Sequence, residues 1–335
     1  MIYLEYIWLD NKDNYRSKIK IIEEDKTILC ALDYTNINNI PEWNYDGSST
    51  GQAEIEHSEV KLIPVKVYRH RDNQLFPYLV LCETHNTAKD TRCHHNAAKE
   101  IFDKYSDHQP MFGLEQEFFM LDTKTVPSNI PEINLGCSGE YYCGNGRGSA
   151  RTRDFLLEVM YLCDYLNIKL TGMNYEVAPG QAEFQVCNIG LDACYDLLIL
   201  RYLLVRVGEK HHIEINLEPK PFDNENGSGC HINFSTQEMR NENNRKQLSL
   251  MVSKMCKNLE KTHNTFINEY YGNGNKNRLS GTCETSSYES FSVKKASRSV
   301  SIRIPSIGNY FEDRRPASNI NPYLACSKLL ECVLN

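Results

Sequence analysis

Gly113–Phe118 reads GLEQEF, and its period decides what kind of fold surrounds it. Glu115 and Glu117 alternate with Leu114 and Gln116, and the flanks Met111, Phe112, Phe118 and Phe119 are apolar. In a strand, residues two apart share a face, so both carboxylates point the same way. An exposed polar face is the ordinary reading of such a pair. The apolar flanks argue for another, because carboxylates in an apolar setting need partners or a metal. A strand over Gly113–Asp122 is therefore expected to carry chemistry.

Three further segments supply what could surround it. In Asn174–Gln185, NYEVAPGQAEFQ, Glu176 precedes a Pro179-Gly180 turn and Glu183 follows it. A hairpin return there brings the two acids onto one site, and Glu183 and Gln185 share a strand face. Taken alone, the segment also fits a surface hairpin with acids facing water. In Asn226–Ser235, NGSGCHINFS, His231, Asn233 and Ser235 share one face beside a glycine-rich turn and read as a binding wall. The C-terminal quarter adds Arg278, Glu284, Arg298, Arg303 within SIRIP, and the run Asn309–Pro322, NYFEDRRPASNINP, with Glu312, Asp313, Arg314 and Arg315. Charge runs are usually solvated. Arg303 lies between isoleucines, however, and a guanidinium fixed in an apolar strand fits phosphate or carboxylate.

The sum is five or six carboxylates, one histidine and several arginines on separated strands. Oxygen-rich sites with a single His suit Mg²⁺ or Mn²⁺ better than a thiolate zinc site. Arginines add a preference for phosphate, and together the groups point to metal-assisted phosphoryl chemistry. No GxxxxGK[ST] loop is present. Gly144–Gly148, GNGRG, lacks the strand spacing and downstream acid of a dinucleotide fingerprint.

Composition sets outer bounds. The chain has 335 residues, 44 Asp+Glu against 37 Lys+Arg, a formal net charge of −7, and 41% apolar residues. That is enough for a sizeable core and, as a loose prior, two domains. The acid excess disfavours nucleic-acid binding, which needs a basic face. The thirteen cysteines show no CxxC pair and read as reduced thiols. The start, MIYLEYIWLDNK, lacks a basic n-region and does not read as a signal peptide. The apolar stretch Leu197–Val207 contains Arg201 and Arg206 and is too short to span a membrane.

Along the chain, the first ~87 residues read as strands and turns. Lys18–Ile22, Val60–Leu62 and Phe76–Cys82 are strand segments, and Pro41–Gln52, PEWNYDGSSTGQ, is a long polar loop. Thr91–Tyr105 reads as a helix capped by Thr91. Strands and helices then alternate: helices at Thr152–Leu166 and Leu191–Val207, strands at Gln181–Cys187, Ile213–Leu217 and Gly229–Ser235. Ser235 with Glu238 makes a capping-box pattern, and Asn321-Pro322 opens a final helix. The fold class is α+β, with a small domain at 1–88 and a larger one at 89–335.

Seven segments, taken in order, carry a resemblance. They are Glu42–Thr50 (EWNYDGSST), Gly113–Glu117 (GLEQE), Tyr141–Gly144 (YYCG), Glu183–Val186 (EFQV), Gly229–Thr236 (GCHINFST), Ser301–Pro305 (SIRIP) and Tyr310–Ser318 (YFEDRRPAS). From about Tyr6 to its end the chain resembles glutamine synthetase of the type II, eukaryotic-like class. The resemblance implies a β-grasp-like N-terminal domain and a catalytic domain with a curved antiparallel sheet and helices. It implies a cytoplasmic homo-oligomer, two stacked pentameric rings with active sites between subunits. The implied reaction joins ammonia to L-glutamate at the expense of ATP, giving L-glutamine, ADP and phosphate through γ-glutamyl phosphate.

By motif match, Glu115, Glu117, Glu176, Glu183, His231 and Glu312 correspond to ligands of Mg²⁺ or Mn²⁺. Gln185, Asn233, Ser235, Arg298, Arg303 and Tyr310 correspond to the ATP side. Asn226, Gly227, Arg278, Arg298 and Arg314 correspond to contacts of glutamate and the γ-phosphoryl group. Asp46, Tyr142 and Glu284 correspond to the ammonium side, with Asp46 serving the neighbouring subunit's site. Asp46, Glu284 and Arg303 are the implied catalytic groups. Five positions depart from the family pattern: Met111, Glu140, Ala182, Glu225 and Cys283. A catalytically silent relative, a ligase for larger amines and a guanidino-type kinase are the alternatives. The intact ligand positions oppose the first, and the retained Asp46, Tyr142 and Glu284 oppose the second. The third leaves the Asp46 loop unexplained.

Overall fold

The computed structural model describes residues 1–23, 34–69, 77–89, 91–122, 141–145 and 150–335. Glu140 and the glycine-rich residues past Asn145 lie outside them. Two compact units emerge: Met1–Asn96 with Leu162–Ile168, and Ala97–Tyr161 with Lys169–Asn335.

The first unit is a six-stranded mixed sheet. Its strands are β1 (Ile2–Leu9), β2 (Tyr15–Ile22), β3 (Trp43–Asp46), β4 (Glu59–Tyr68), β5 (Tyr78–Asn86) and the short β6 (Thr91–Arg92). Their order is β2-β1-β5-β4-β3, with β6 also on β5. β1 and β5 run parallel. β1 is buried on both faces, which is why its sequence is nearly continuously apolar. Leu4, Tyr6, Trp8, Tyr45, Val60, Leu62 and Val80 make the core. Two expectations need correction here. The Pro41–Gln52 segment is not all loop, because Trp43–Asp46 pairs with β4 from Leu62 back to Glu59. The helix expected from Thr91 starts at His95, because residues 91–92 pair with β5 instead.

The second unit holds β7 (Met111–Asp122), β8 (Leu170–Tyr175) and β9 (Gln181–Ile189), and shares α1 (His95–Lys104) and α2 (Ala150–Tyr165) with the first. Then come α3 (Asp192–His211), β10 (Ile213–Asn216), β11 (Cys230–Ser235), α4 (Gln237–Asn241) and α5 (Arg245–Lys261). The short α6 (His263–Thr265) and α7 (Asn275–Arg278), β12 (Val293–Lys295), β13 (Ile302–Ile304), β14 (Phe311–Asp313) and α8 (Pro322–Leu334) complete it. The sheet order is β12-β13-β14-β11-β7-β9-β8, with β10 also on β7. It is antiparallel except for the β12–β13 pair. The helix N-cap near Ser235 is Thr236, one residue later than expected, and its side chain accepts from Met239 N–H. Asn321 caps α8 as expected, with Pro322 at the first position.

One face of this sheet is apolar. Phe112, Leu114, Phe118, Phe184, Val186, Ile232, Phe234 and Phe311 are all fully buried on it. Rings meet across strands, Phe112 with Phe234 at 5.3 Å and Phe234 with Phe311 at 5.5 Å. α3 packs on β7, β9 and α8. It is largely apolar and buries two ionisable side chains, Asp196 and Arg201; Arg201 donates Nε–H to Gln116 Oε1, Nη1–H to Ile320 O and Nη2–H to Ser318 O. Gln116, between the two glutamates in sequence, therefore points away from them and orders the core. Among the described residues no helix is long and apolar enough to cross a membrane.

A second buried guanidinium ties β14 to the helices. Arg315 is fully buried and makes two hydrogen bonds to Asp313, at 2.9 and 2.6 Å. Tyr271 donates its hydroxyl to the same carboxylate at 2.7 Å. The rings of Phe266, Tyr271 and Phe291 surround the guanidinium at 5.2–5.5 Å. Removing one partner of such a pair leaves an uncompensated buried charge. Asp313→Ala is expected to lose about 3–5 kcal/mol of stability, read as a lowered urea midpoint; a midpoint within error of the parent would show that the ring cage alone holds Arg315.

Candidate active site

The opposite face of the sheet in the second unit is polar, and strand register builds it. His231 on β11 stands across from Glu115 on β7. Glu117 on β7 stands across from Glu183 on β9. Glu312 on β14 lies between Asn233 on β11 and Arg303 on β13. Glu176 follows β8, and the Pro179-Gly180 turn returns it to Glu183. The backbone closes there with Glu176 N–H on Gln181 O, and Gly180 takes a φ of 74° that a side chain would resist.

Five carboxylates and one imidazole thus fall into two groups: Glu115, His231 and Glu312, and Glu117, Glu176 and Glu183. Within each, ligand atoms lie within 4.8 Å of one another. His231 Nδ1 is 3.4 Å from Glu115, 3.7 Å from Glu312 and 4.0 Å from Glu117. Its Nε2 lies 3.2 Å from Arg278 Nη2. Gly229 permits that approach, since a Cβ there would sit 2.5 Å from Arg278 Nη2 and 2.8 Å from His231 Nε2. Glu312 receives Arg314 Nη1–H on one oxygen at 2.6 Å and Arg303 Nη1–H on the other at 2.8 Å.

Two cavities adjoin this face. One is narrow, about 40 Å³, and mostly polar, lined by Glu115, His231, Glu117, Glu176 and Glu183 together with Gln181, Asn226, Gly227, Arg278, Arg298, Arg314 and the segment Cys283–Thr285. The other, about 320 Å³, shares Glu115 with it and is lined by Met111, Thr171, Gln185, Cys187, Asn233, Ser235, Arg240, Asn309 and Tyr310. That is within the size range of small-ligand sites.

The family pattern described as "Glutamine synthetase, catalytic domain" matches residues 89–335. The chain belongs to the glutamine synthetase family. It is 38% identical to glutamine synthetase of Saccharomyces cerevisiae, over 99% of this chain and 89% of the relative. It is 36% identical to "Glutamine synthetase 1, mitochondrial" of Drosophila melanogaster, over 98% of this chain and 84% of the relative. The cryo-EM structure of Plasmodium falciparum glutamine synthetase shares the fold, with a TM-score of 0.75 at 16% identity, over 99% of this chain and 71% of that chain.

Within the fold of this family, most residues singled out from the sequence come together. The six expected ligands meet as described. Gln185, Asn233, Ser235 and Tyr310 line the larger cavity, whereas Arg298 lines the narrow one and Arg303 is held by Glu312. Asn226 and Gly227 border the narrow cavity, and the buried Asn226 Oδ1 has no hydrogen-bond partner among the described residues. Arg278 stands against His231, and Arg314 Nη2–H reaches Glu284 O at 3.2 Å. Tyr142 is exposed, yet burial raises its phenol pKa and Arg298 opposes the rise. Asp46 belongs to the first unit, not to this cluster. Cys283 is disulfide-bonded, which corrects the expectation of reduced thiols throughout.

Two kinds of residue escaped the sequence reading. Gln181 lies two positions before Glu183 on the same strand face, and its side chain donates to Gly227 O and Ser228 Oγ. The alternation that found Glu183 could have found it. Arg240 donates to Ser235 O, Ser235 Oγ and Gln109 O, and so shapes the larger cavity. It sits on α4, with no local signal.

Oxygen-rich groups of this kind fit a hard divalent cation, with imidazole as a tolerated extra ligand. The titration behaviour agrees with that fit. Burial, then Glu176, pushes Glu117 up to about 8. Burial, then Glu115 and Glu117, pushes Glu183 up to about 9. Burial raises Glu176 as well. Burial and Arg314 hold His231 well below its ordinary value, so the ring is neutral, as a ligand must be. A carboxyl raised in the folded state binds its proton where the unfolded chain has lost it. Stability then falls as pH rises between the two values. In EDTA-treated protein, thermal stability is expected to fall as pH rises from about 5 to about 9, and Mg²⁺ or Mn²⁺ is expected to flatten the slope by replacing the protons. Glu183→Gln, which cannot ionise, should reduce the slope. A flat profile in EDTA would show that these carboxyls are ionised at neutral pH without a cation.

Proposed function

We propose that the chain forms L-glutamine from L-glutamate and ammonia with ATP as co-substrate, passing through γ-glutamyl phosphate. The observation that carries this reading is the pair of carboxylate groups set between a narrow polar cavity and a larger cleft. Glu115, His231 and Glu312 would hold one divalent ion, Mg²⁺ or Mn²⁺, and Glu117, Glu176 and Glu183 another. When bound, the ions would supply charge neutralisation for the phosphates and Lewis-acid polarisation of the γ-phosphoryl group.

The chain's own groups do the rest. Gln185, Asn233, Ser235, Arg298, Arg303 and Tyr310 would bind ATP. Asn226, Gly227, Arg278, Arg298 and Arg314 would seat glutamate and the transferring phosphoryl, with Arg303 and Arg314 countering charge that develops in flight. Glutamate exceeds the narrow cavity as it stands, so the segment carrying Glu284 would open to admit it and close to exclude water from the acyl phosphate. Ammonium has no lone pair. Asp46 would take its proton and Tyr142 and Glu284 would hold it, leaving ammonia to attack the phosphorylated carboxyl.

The same reading divides the chain at residue 88 into a small domain and a catalytic one. It places the protein in the cytoplasm as a decamer of two pentameric rings, with Asp46 lent to a neighbour. Nucleic acid and membrane have no part in it.

The deciding assay follows ADP, phosphate and glutamine with ammonium, with methylamine and without amine. Equal amounts of all three products with ammonium are expected; ADP without any amide would sink the reading. Glu115→Ala and Glu312→Ala should each lower turnover by at least about 100-fold, the upper end of what outer-shell partners of a metal cost, while the oligomer persists. A variant that keeps its activity removes that glutamate from the ion site.

A further inference from the structure

We infer that Gln52 is the positioning residue that holds Asp46 in register, and that ammonium use depends on it. The inference rests on the reading of Asp46 as the ammonium-side base.

Asp46 is the last residue of β3, which among the described residues is an edge strand paired to β4 alone. An edge strand's end needs other support if its carboxylate is to stay put. The chain behind it wraps tightly: Gly47 O accepts from the N–H groups of Thr50, Gln52 and Ala53, at 3.2, 2.8 and 3.1 Å. Gln52 then fastens this wrap to the inner strands. Its Oε1 accepts Tyr45 Oη–H at 2.7 Å and shares Thr50 Oγ1–H, at 2.9 Å, with Gly47 O at 3.1 Å. Its Nε2 donates to Leu9 O at 3.2 Å and to Thr84 Oγ1 at 3.4 Å. Its main-chain carbonyl accepts Asn86 Nδ2–H at 2.9 Å.

An amide side chain has two acceptor sites and two donor hydrogens, and all four are spent here. Gln52 therefore has nothing left for a substrate, and its effect must travel through its partners. Those partners bracket the base. Tyr45 immediately precedes Asp46, and its ring lies 4.6 Å from Trp8. Thr50 immediately follows Ser49, whose hydroxyl donates to Asp46 Oδ2 at 2.7 Å, while Ser48 N–H and Oγ–H occupy Oδ1 at 3.0 and 2.6 Å. Leu9 and Thr84 belong to β1 and β5, in the middle of the sheet. One side chain thus links both flanks of Asp46 to the rigid part of the unit.

The test compares amines at saturating ATP and glutamate. Hydroxylamine is largely unprotonated at neutral pH and keeps its lone pair, so it needs no base. Gln52→Met preserves length and removes the four side-chain hydrogen bonds while leaving the main-chain ones. It is expected to raise the ammonium KM at least about tenfold, within the 100-fold that a displacement of about 1 Å can cost, and to leave hydroxamate formation within about twofold. Tyr45→Phe keeps the ring and removes one of the four bonds; it should show the same selectivity in smaller measure, and it serves if Gln52→Met fails to fold. Equal losses with both amines would make Gln52 a purely structural residue and overturn the inference, as would an unchanged ammonium KM. Asp46→Ala runs alongside. If it spares ammonium use, the reading of Asp46 fails and the role of Gln52 with it. If Asp46→Ala is selectively defective while Gln52→Met and Tyr45→Phe are not, only Gln52 is wrong.

Discussion

Carboxylates that share one face of a sheet repel each other, and the polar side of the second unit is arranged around that repulsion. Register alone puts Glu115 beside His231, Glu117 beside Glu183 and Glu312 beside Arg303. A slip of one residue in β7 would turn both of its glutamates into the aromatic layer. The rings of Phe112, Phe118, Phe184, Phe234 and Phe311 therefore do more than fill a core. By fixing which face is apolar, they decide that the acids gather on the other. Arg201 and Gln116 add a polar lock within that apolar layer, where a misregistered strand would take away the acceptor of the buried Arg201 Nε–H.

Gathered acids must be compensated, and the compensation is divided. Arg303 and Arg314 engage Glu312 directly, so β14 brings its own counter-charge. Among the described residues Glu117 and Glu183 have no such ion pair with arginine, and burial with repulsion from neighbouring acids raises both instead. A divalent cation would compete with protons for such carboxyls. The two acid groups are consequently different in kind: one is balanced by fixed arginines, the other by whatever mobile positive charge is supplied.

Much of this was legible in the sequence because period-2 alternation survives in every strand concerned. Glu115 with Glu117, Glu183 with Gln185, and His231 with Asn233 each announce a shared face, and Pro179-Gly180 announces the return between Glu176 and Glu183. Where pattern competes with tertiary pairing, reading fails. Trp43–Asp46 looks like loop because its polar residues and neighbouring Gly-Ser run mask a strand held by β4. Residues 91–92 look helical but are taken by β5. Arg240 carries no local motif, and one of its partners, Gln109, is distant in sequence, whereas Gln181 shares the alternation of Glu183 and is legible by it. The bond made by Cys283 depends on spatial approach, which spacing does not encode.

Carboxyl groups in this one chain are pushed in opposite directions, and the directions match different tasks. Asp46 is exposed and surrounded by hydroxyl and amide donors, so Ser48 and Ser49 hold its carboxyl below the usual range. Glu117 and Glu183 are buried among other acids and rise. On the proposed reading Asp46 attracts ammonium, and an anionic carboxylate suits that task. It gains from donors even though they make it a weaker base. On the same reading Glu117 and Glu183 receive a divalent ion, and the crowding of acids that raises them is what a cation would relieve by displacing their protons. The difference comes from environment and not from residue type. That is why the acid count of the whole chain is a poor guide to its chemistry, whereas the positions of half a dozen acids are a good one.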